Sequence, residues 1–293
     1  MKVIVDQGDS LVSWHSDREL VTFSPISATH NYIKPDGFAK DLTILGHAFG
    51  HAYIQYYGAK GNGLNPTGES GALYVSIADT IGIMVDHFDK KVKANGQNTS
   101  WLIGTCFQEH TGLFGTELEP VPFHERHAIR SMEKPGHANP FDDQWTGDKS
   151  REGHPIDHYD RYQNIAANDD PGEIFYNCGI PNKAFQLAAT ALQRPSYETI
   201  GHIWIEALHD CEENFTFAQF AELTAAKAKS SEEKNIVRKA WFDVGVLENQ
   251  IPPPPIQVLP RRTRTWSEEF DDGIGNGLQR IAKRVFMRPE STE

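Results

Sequence analysis

Apolar and polar residues alternate near the start of the chain. Leu11-Val12-Ser13-Trp14 and Leu20-Val21-Thr22-Phe23 flank the polar run His15-Ser16-Asp17-Arg18-Glu19, which predicts a hairpin in a β region ending at about residue 25. Pro35, Asp36 and Gly37 mark residues 26–40 as a loop. From Leu42 the period becomes helical. Leu42, Ile44, Leu45, Phe49, Ala52, Tyr53 and Tyr56 cover much of one helix surface, which predicts a helix deep in a domain. Asp41 is its cap, and it stops near Gly58. After a loop rich in Gly, Asn and Pro, a second apolar helix runs from about Glu69 to Phe88. Its small residues Gly71, Ala72, Ser76 and Ala78 permit close packing against a neighbour.

Between about residue 89 and residue 160 the chain loses its period and becomes polar and turn-rich, a pattern usual for a functional or metal-braced stretch. Helical patterning returns over Asn182–Leu192, Tyr197–His209, Thr216–Ala228 and Ser231–Val244, with Thr216 placed to cap the third. Pro252 to Pro255 break the pattern in polyproline conformation, and a short helix is possible at about 274–286. Three parts follow: a β region and loop over 1–40, a helical domain over 41–248, and a Pro-rich linker with a tail over 249–293.

Composition narrows the classes. The chain has 293 residues, is 39% hydrophobic and 23% charged, and carries a net charge of −12. That argues against a nucleic-acid partner and against docking on anionic lipid. No apolar run approaches the ~20 residues of a membrane span. Met1 to Asp6 is too short for the apolar region of a secretion signal, so the expectation is a cytoplasmic protein or one exported without a classical signal. Cys106, Cys178 and Cys211 are widely spaced and read as buried free thiols.

The chemistry centres on His47-Ala48-Phe49-Gly50-His51. Two histidines so spaced lie one turn apart on one helix face. This is the ligand spacing of the zinc-peptidase motif H-E-x-x-H, whose Glu activates the metal-bound water. Ala48 stands in the place of that Glu. The histidines His110, His124, His127, His137, His154 and His158 sit in the polar stretch; a second metal site there is conceivable, and a solvated loop is the plainer reading.

With Glu69-Ser-Gly-Ala-Leu-Tyr-Val-Ser-Ile-Ala-Asp79 following it, the histidine helix resembles the central helices of thermolysin-like zinc metallopeptidases, where the second helix reads E-S-G-A-x-N-E-x-x-x-D. Ile129-Arg130-Ser131-Met132, Asp157-His158-Tyr159, Asn177-Cys178-Gly179-Ile180 with Asn182-Lys183-Ala184, and Phe242-Asp243-Val244-Gly245-Val246 are similar to that family in order. The resemblance implies a mainly α (α+β) fold: a zincin, thermolysin-like helical domain of the catalytic type, with a truncated N-terminal β hairpin or small sheet.

The departures fall on the working parts. The base Glu aligns with Ala48, the third zinc ligand with Val75, a transition-state His with Phe175, and an oxyanion-holding Tyr with Pro66. The substrate-gripping edge strand keeps Trp14 and loses its Asn. Ser100, Leu102 and Thr105 replace acidic calcium ligands, so the family's calcium site is expected to be lost. So many replacements together point to a natural loss. The resemblance leaves His47 and His51 as possible metal ligands, Asp79 behind one of them, and Arg130, Asn177, Asp170 and Trp14 as cleft residues. Zinc is bound only if a third ligand is recruited; otherwise the histidines are a hydrogen-bonded remnant. Two functions follow. One is a pseudo-peptidase that binds an unidentified protein or peptide; the other is an active or repurposed zinc metallopeptidase using His47, His51 and an unidentified third ligand.

Overall fold

Two helices crossing at glycines set the frame of the domain. α1 (Leu42–Tyr57) and α2 (Gly68–Lys90) meet where Gly46 and Gly50 face Gly82 and Ala78. A Cβ at Gly82 would stand 2.3 Å from the Thr43 carbonyl oxygen, and one at Gly50 would stand 2.8 Å from Ala78 Cα. The backbones are therefore in contact; of the small residues singled out in the sequence, Ala78 lies at this crossing, whereas Gly71 faces Pro66 and Ile174. Asp41 caps α1, its side chain accepting from the amides of Thr43 and Ile44. α1 ends at Gly58, where a 3-10 turn carries Ala59 and Lys60 through the left-handed region at φ 47° and 60°.

This computed structural model describes residues 2–5, 12–15, 17–23, 40–96, 98–105, 128–135, 156–162 and 172–248. All belong to the unit Met1–Gln250; the Pro-rich segment and the tail, Ile251–Glu293, lie outside the described residues.

The N-terminal strands β1 (Lys2–Val5), β2 (Val12–His15) and β3 (Leu20–Phe23) form one sheet in the order β1-β3-β2. β2 and β3 pair antiparallel as the expected hairpin, and β1 adds to β3 in parallel. The polar stretch holds one ladder that its sequence pattern does not reveal: β4 (Leu102–Ile103) pairs antiparallel with β5 (Arg130–Ser131). Strands of two residues are too short to show a period.

The C-terminal half is α3 (Gly172–Asn177), α4 (Gly179–Leu192), α5 (Thr199–Asp210), α6 (Phe217–Lys227) and α7 (Ser231–Asp243). Thr216 and Ser230 each close a capping box. Trp204 of α5 stacks on Trp241 of α7, centroids 5.9 Å apart, with Phe185 and Phe220 buried edge-on against the pair. Phe175 lies on the short helix α3, a stretch to which the sequence pattern assigns no element. Among the described residues no helix is long and apolar enough to cross a membrane.

Candidate functional site

His47 and His51 project from α1 toward α2, as their spacing requires. Their Nε2 atoms lie 2.9 Å apart, and their rings meet edge to face at 4.4 Å. Behind His47 stands Asp79 of α2, fully buried, with Oδ1 2.7 Å from His47 Nδ1.

Asp79 is the hub. Arg130 donates to it twice, from Nε at 2.7 Å and from Nη2 at 2.6 Å, and Asn182 Nδ2 donates at 3.0 Å. Burial alone would raise the Asp79 pKa; Arg130 and His47 outweigh it and hold the carboxyl well below the usual carboxylate range. The pair acts equally on Arg130, keeping its guanidinium charged although it is buried.

His51 differs from its neighbour. The residue remains partly exposed, but Nδ1 is shielded and has no hydrogen-bond partner among the described residues. The Tyr74 ring lies against it at 4.3 Å. Burial, with the nearby His47, pushes the His51 pKa well below its ordinary value, so the ring is neutral. Tyr74 was readable from the sequence, because it fills the Asn place of the E-S-G-A-x-N-E pattern. Asn182 was quoted there only as part of a motif; its bond to Asp79 spans too much sequence for any local pattern to show.

The positions expected to carry chemistry hold apolar groups. Ala48 and Val75 are each 1% exposed. Phe175 is 43% exposed, with Arg130 Cζ 5.9 Å from its ring centroid. Pro66 is exposed, its backbone lying close against Gly71. Trp14 donates from Nε1 to Gln55 Oε1 at 2.7 Å, fastening β2 to α1.

Arg130 and Asn177, the described polar residues expected in the cleft beside the histidines, are buried. Arg130 commits Nε and Nη2 to Asp79, with 10% of its side chain exposed. Asn177 has no exposed surface at all. Asp170 lies outside the described residues, as do Cys106 and the histidines from His110 to His154. Cys178 is wholly buried, and burial raises its pKa, which suits a packed thiol and not a nucleophile.

The family model for the thermolysin metallopeptidase α-helical domain matches residues 62–246. The chain belongs to the thermolysin metallopeptidase family. This thermolysin-family chain is 31% identical over 216 residues to Protease PrtS of Photorhabdus sp. (strain Az29), covering 72% of the chain and 52% of that protein. It is 33% identical over 183 residues to an extracellular metalloprotease of Pectobacterium carotovorum subsp. carotovorum, covering 61% of the chain and 46% of that protein. The precursor of protealysin, a metalloproteinase from Serratia proteamaculans, shares its fold with a TM-score of 0.63 at 28% identity, over 80% of this chain and 65% of that one. The chain spans about half the length of the first curated relatives it matches.

The residues present fit the family's zinc poorly. A catalytic zinc takes three protein ligands and an open position. His47 and His51 converge, but among the described residues no group of three His, Cys, Asp or Glu could hold a metal ion. Val75 offers no donor atom. His51 also lacks the hydrogen bond on its far nitrogen that orients a ligand imidazole.

Proposed function

We propose that this thermolysin-family domain works as a binding or assembly module and not as a peptidase. The observation that carries the reading is the composition of the site. Two convergent imidazoles meet Ala48 where a base is needed and Val75 where a third ligand is needed. General acid–base catalysis is typically worth about 10²- to 10⁴-fold, and an oxyanion donor adds a further ~10²- to 10³-fold. Both are missing from their positions, together with the ligand that would hold the metal between them. A neutral His51 packed on Tyr74 and an Arg130 committed to Asp79 are what a retained strut requires. The partner is a protein or an extended peptide.

The second reading is a repurposed zinc hydrolase that recruits a ligand from outside the described residues. The 2.9 Å approach of the two Nε2 atoms on one side of α1 favours it. One experiment separates the two: turnover of a broad fluorogenic peptide mixture by the full chain, with added zinc and with a chelator. The binding-module reading predicts no turnover above buffer in either condition. Cleavage that the chelator abolishes would overturn it.

A further inference from the structure

One buried histidine away from the old site ties α2 to two loops. His87, in the last turn of α2, has no exposed surface. Its Nε2 lies 2.7 Å from the Ser100 carbonyl oxygen, and its Nδ1 lies 2.8 Å from Ser196 Oγ. A carbonyl only accepts, so Nε2 carries the proton, and in the neutral ring Nδ1 accepts from the Ser196 hydroxyl. The strap that begins at Ser100 is anchored at its far end by the α1 cap. Thr105 N donates to Asp41 Oδ2 at 2.7 Å, and Gly104 N donates to Thr43 Oγ1 at 2.9 Å. Between the anchors the strap holds β5. Ile129 N donates to Ile103 O at 2.8 Å, and Met132 N donates to Trp101 O at 2.9 Å. β5 carries Arg130, which clamps Asp79.

We infer that the fold contains an acid-sensitive latch, in which protonation of His87 favours release of the 100–105 strap from α2 and loosens the strand that delivers Arg130 to Asp79. A charged ring at this position has no solvent and, among the described residues, touches no carboxylate. Its new Nδ1 proton meets only a hydroxyl that was itself the donor. The charged groups acting on the ring are Asp86 and Lys90, both on α2, opposed in sign and paired with each other at 2.8 Å. The loops packed on it contribute the Ser100 carbonyl, the Ser196 hydroxyl and the edge of Trp101, 4.9 Å away, and none of these titrates. Burial holds the His87 pKa below its ordinary value, against the opposing pull of the Ser100 carbonyl and Asp86. For a histidine whose closed-state pKa is depressed, stability of the closed state is lost as pH falls below the open-state value. The opening equilibrium therefore rises toward tenfold per pH unit, starting near the ordinary histidine pKa of about 6.5. The latch is independent of whether the cleft hydrolyses anything.

The test is hydrogen exchange on the full chain from neutral pH down to acid, with rates corrected for intrinsic exchange. It is read at the amides of Gly104, Thr105, Ile129 and Met132, with α5 amides as the control. His87→Gln keeps a donor for Ser100 and an acceptor for Ser196 but does not titrate. The expected result is opening that climbs toward tenfold per unit in the wild type, flat α5 controls, and no pH response in His87→Gln. A flat wild type, an equal response in the variant, or α5 opening in step would overturn the latch. Should the variant fail to fold, the NMR titration of the His87 ring decides. A ring that stays neutral until the four amides open supports the latch, and a ring that titrates under full amide protection refutes it.

Discussion

Breaking the Asp79–Arg130 pair from either side should cost far more than removing it whole. Asp79 is 0% exposed and Arg130 is 8% exposed. Asp79→Leu leaves a buried guanidinium without an anion and strands the Asn182 amide. Arg130→Met leaves a buried carboxylate with Asn182 and His47. Removing one partner of a buried ion pair typically costs about 3–5 kcal/mol, whereas replacing both with apolar groups of similar volume is often near neutral. The Asn182 amide adds about 1 kcal/mol to any change that removes Asp79. Each single variant should therefore lose about 3–5 kcal/mol, and the double variant should lose less than either, a coupling of at least about 3 kcal/mol. Urea titration followed by far-UV circular dichroism measures it as a shift in midpoint at constant slope. Single effects that add in the double variant to within about 0.5 kcal/mol would refute the clamp as the organiser of the site.

Further outcomes follow from the same geometry. Because Asp79 is held well below the usual carboxylate range, its contribution to stability is complete above the ordinary Asp pKa of about 3.9 and is lost only below it; the wild type should thus show an acid-induced loss of stability in that window which Asp79→Leu/Arg130→Met lacks. Val75→Glu should destabilise the metal-free chain, since Val75 is 1% exposed, and zinc should recover about 4 kcal/mol at a thousandfold excess over its dissociation constant; a melting temperature blind to zinc would show that His47 and His51 do not converge on a metal position. Gly82→Ala should cost at least about 1–3 kcal/mol in urea titration, because its Cβ meets the Thr43 carbonyl at 2.3 Å and α1 must move away.

The sequence made the helical frame legible and the wiring behind it much less so. α1 and α2 are legible through apolar coverage and the Asp41 cap, both local signals; the glycines at their crossing, Gly46, Gly50 and Gly82, are not. Though its capping box with Gln219 is seen only in the structure, the N-cap at Thr216 is equally plain. The pairing of β4 with β5 was not, since two residues carry no period and their partners stand far apart in sequence. Family likeness placed Arg130 and Asn177 in the cleft, but their burial depends on how α3 and β5 pack, which no alignment of motifs states. The orphaned Nδ1 of His51 was hidden for a related reason. Tyr74 could be seen in the motif as a replaced Asn, yet only the packed helices show its ring against the imidazole.

The central claim is that His47 and His51 are a strut and not two thirds of a working zinc site. Elemental analysis of the full chain, purified with zinc present and then desalted, tests it most directly. The account predicts zinc well below one atom per chain, and no change in that content for His51→Ala. One zinc per chain in the wild type, lost in His51→Ala, would contradict it.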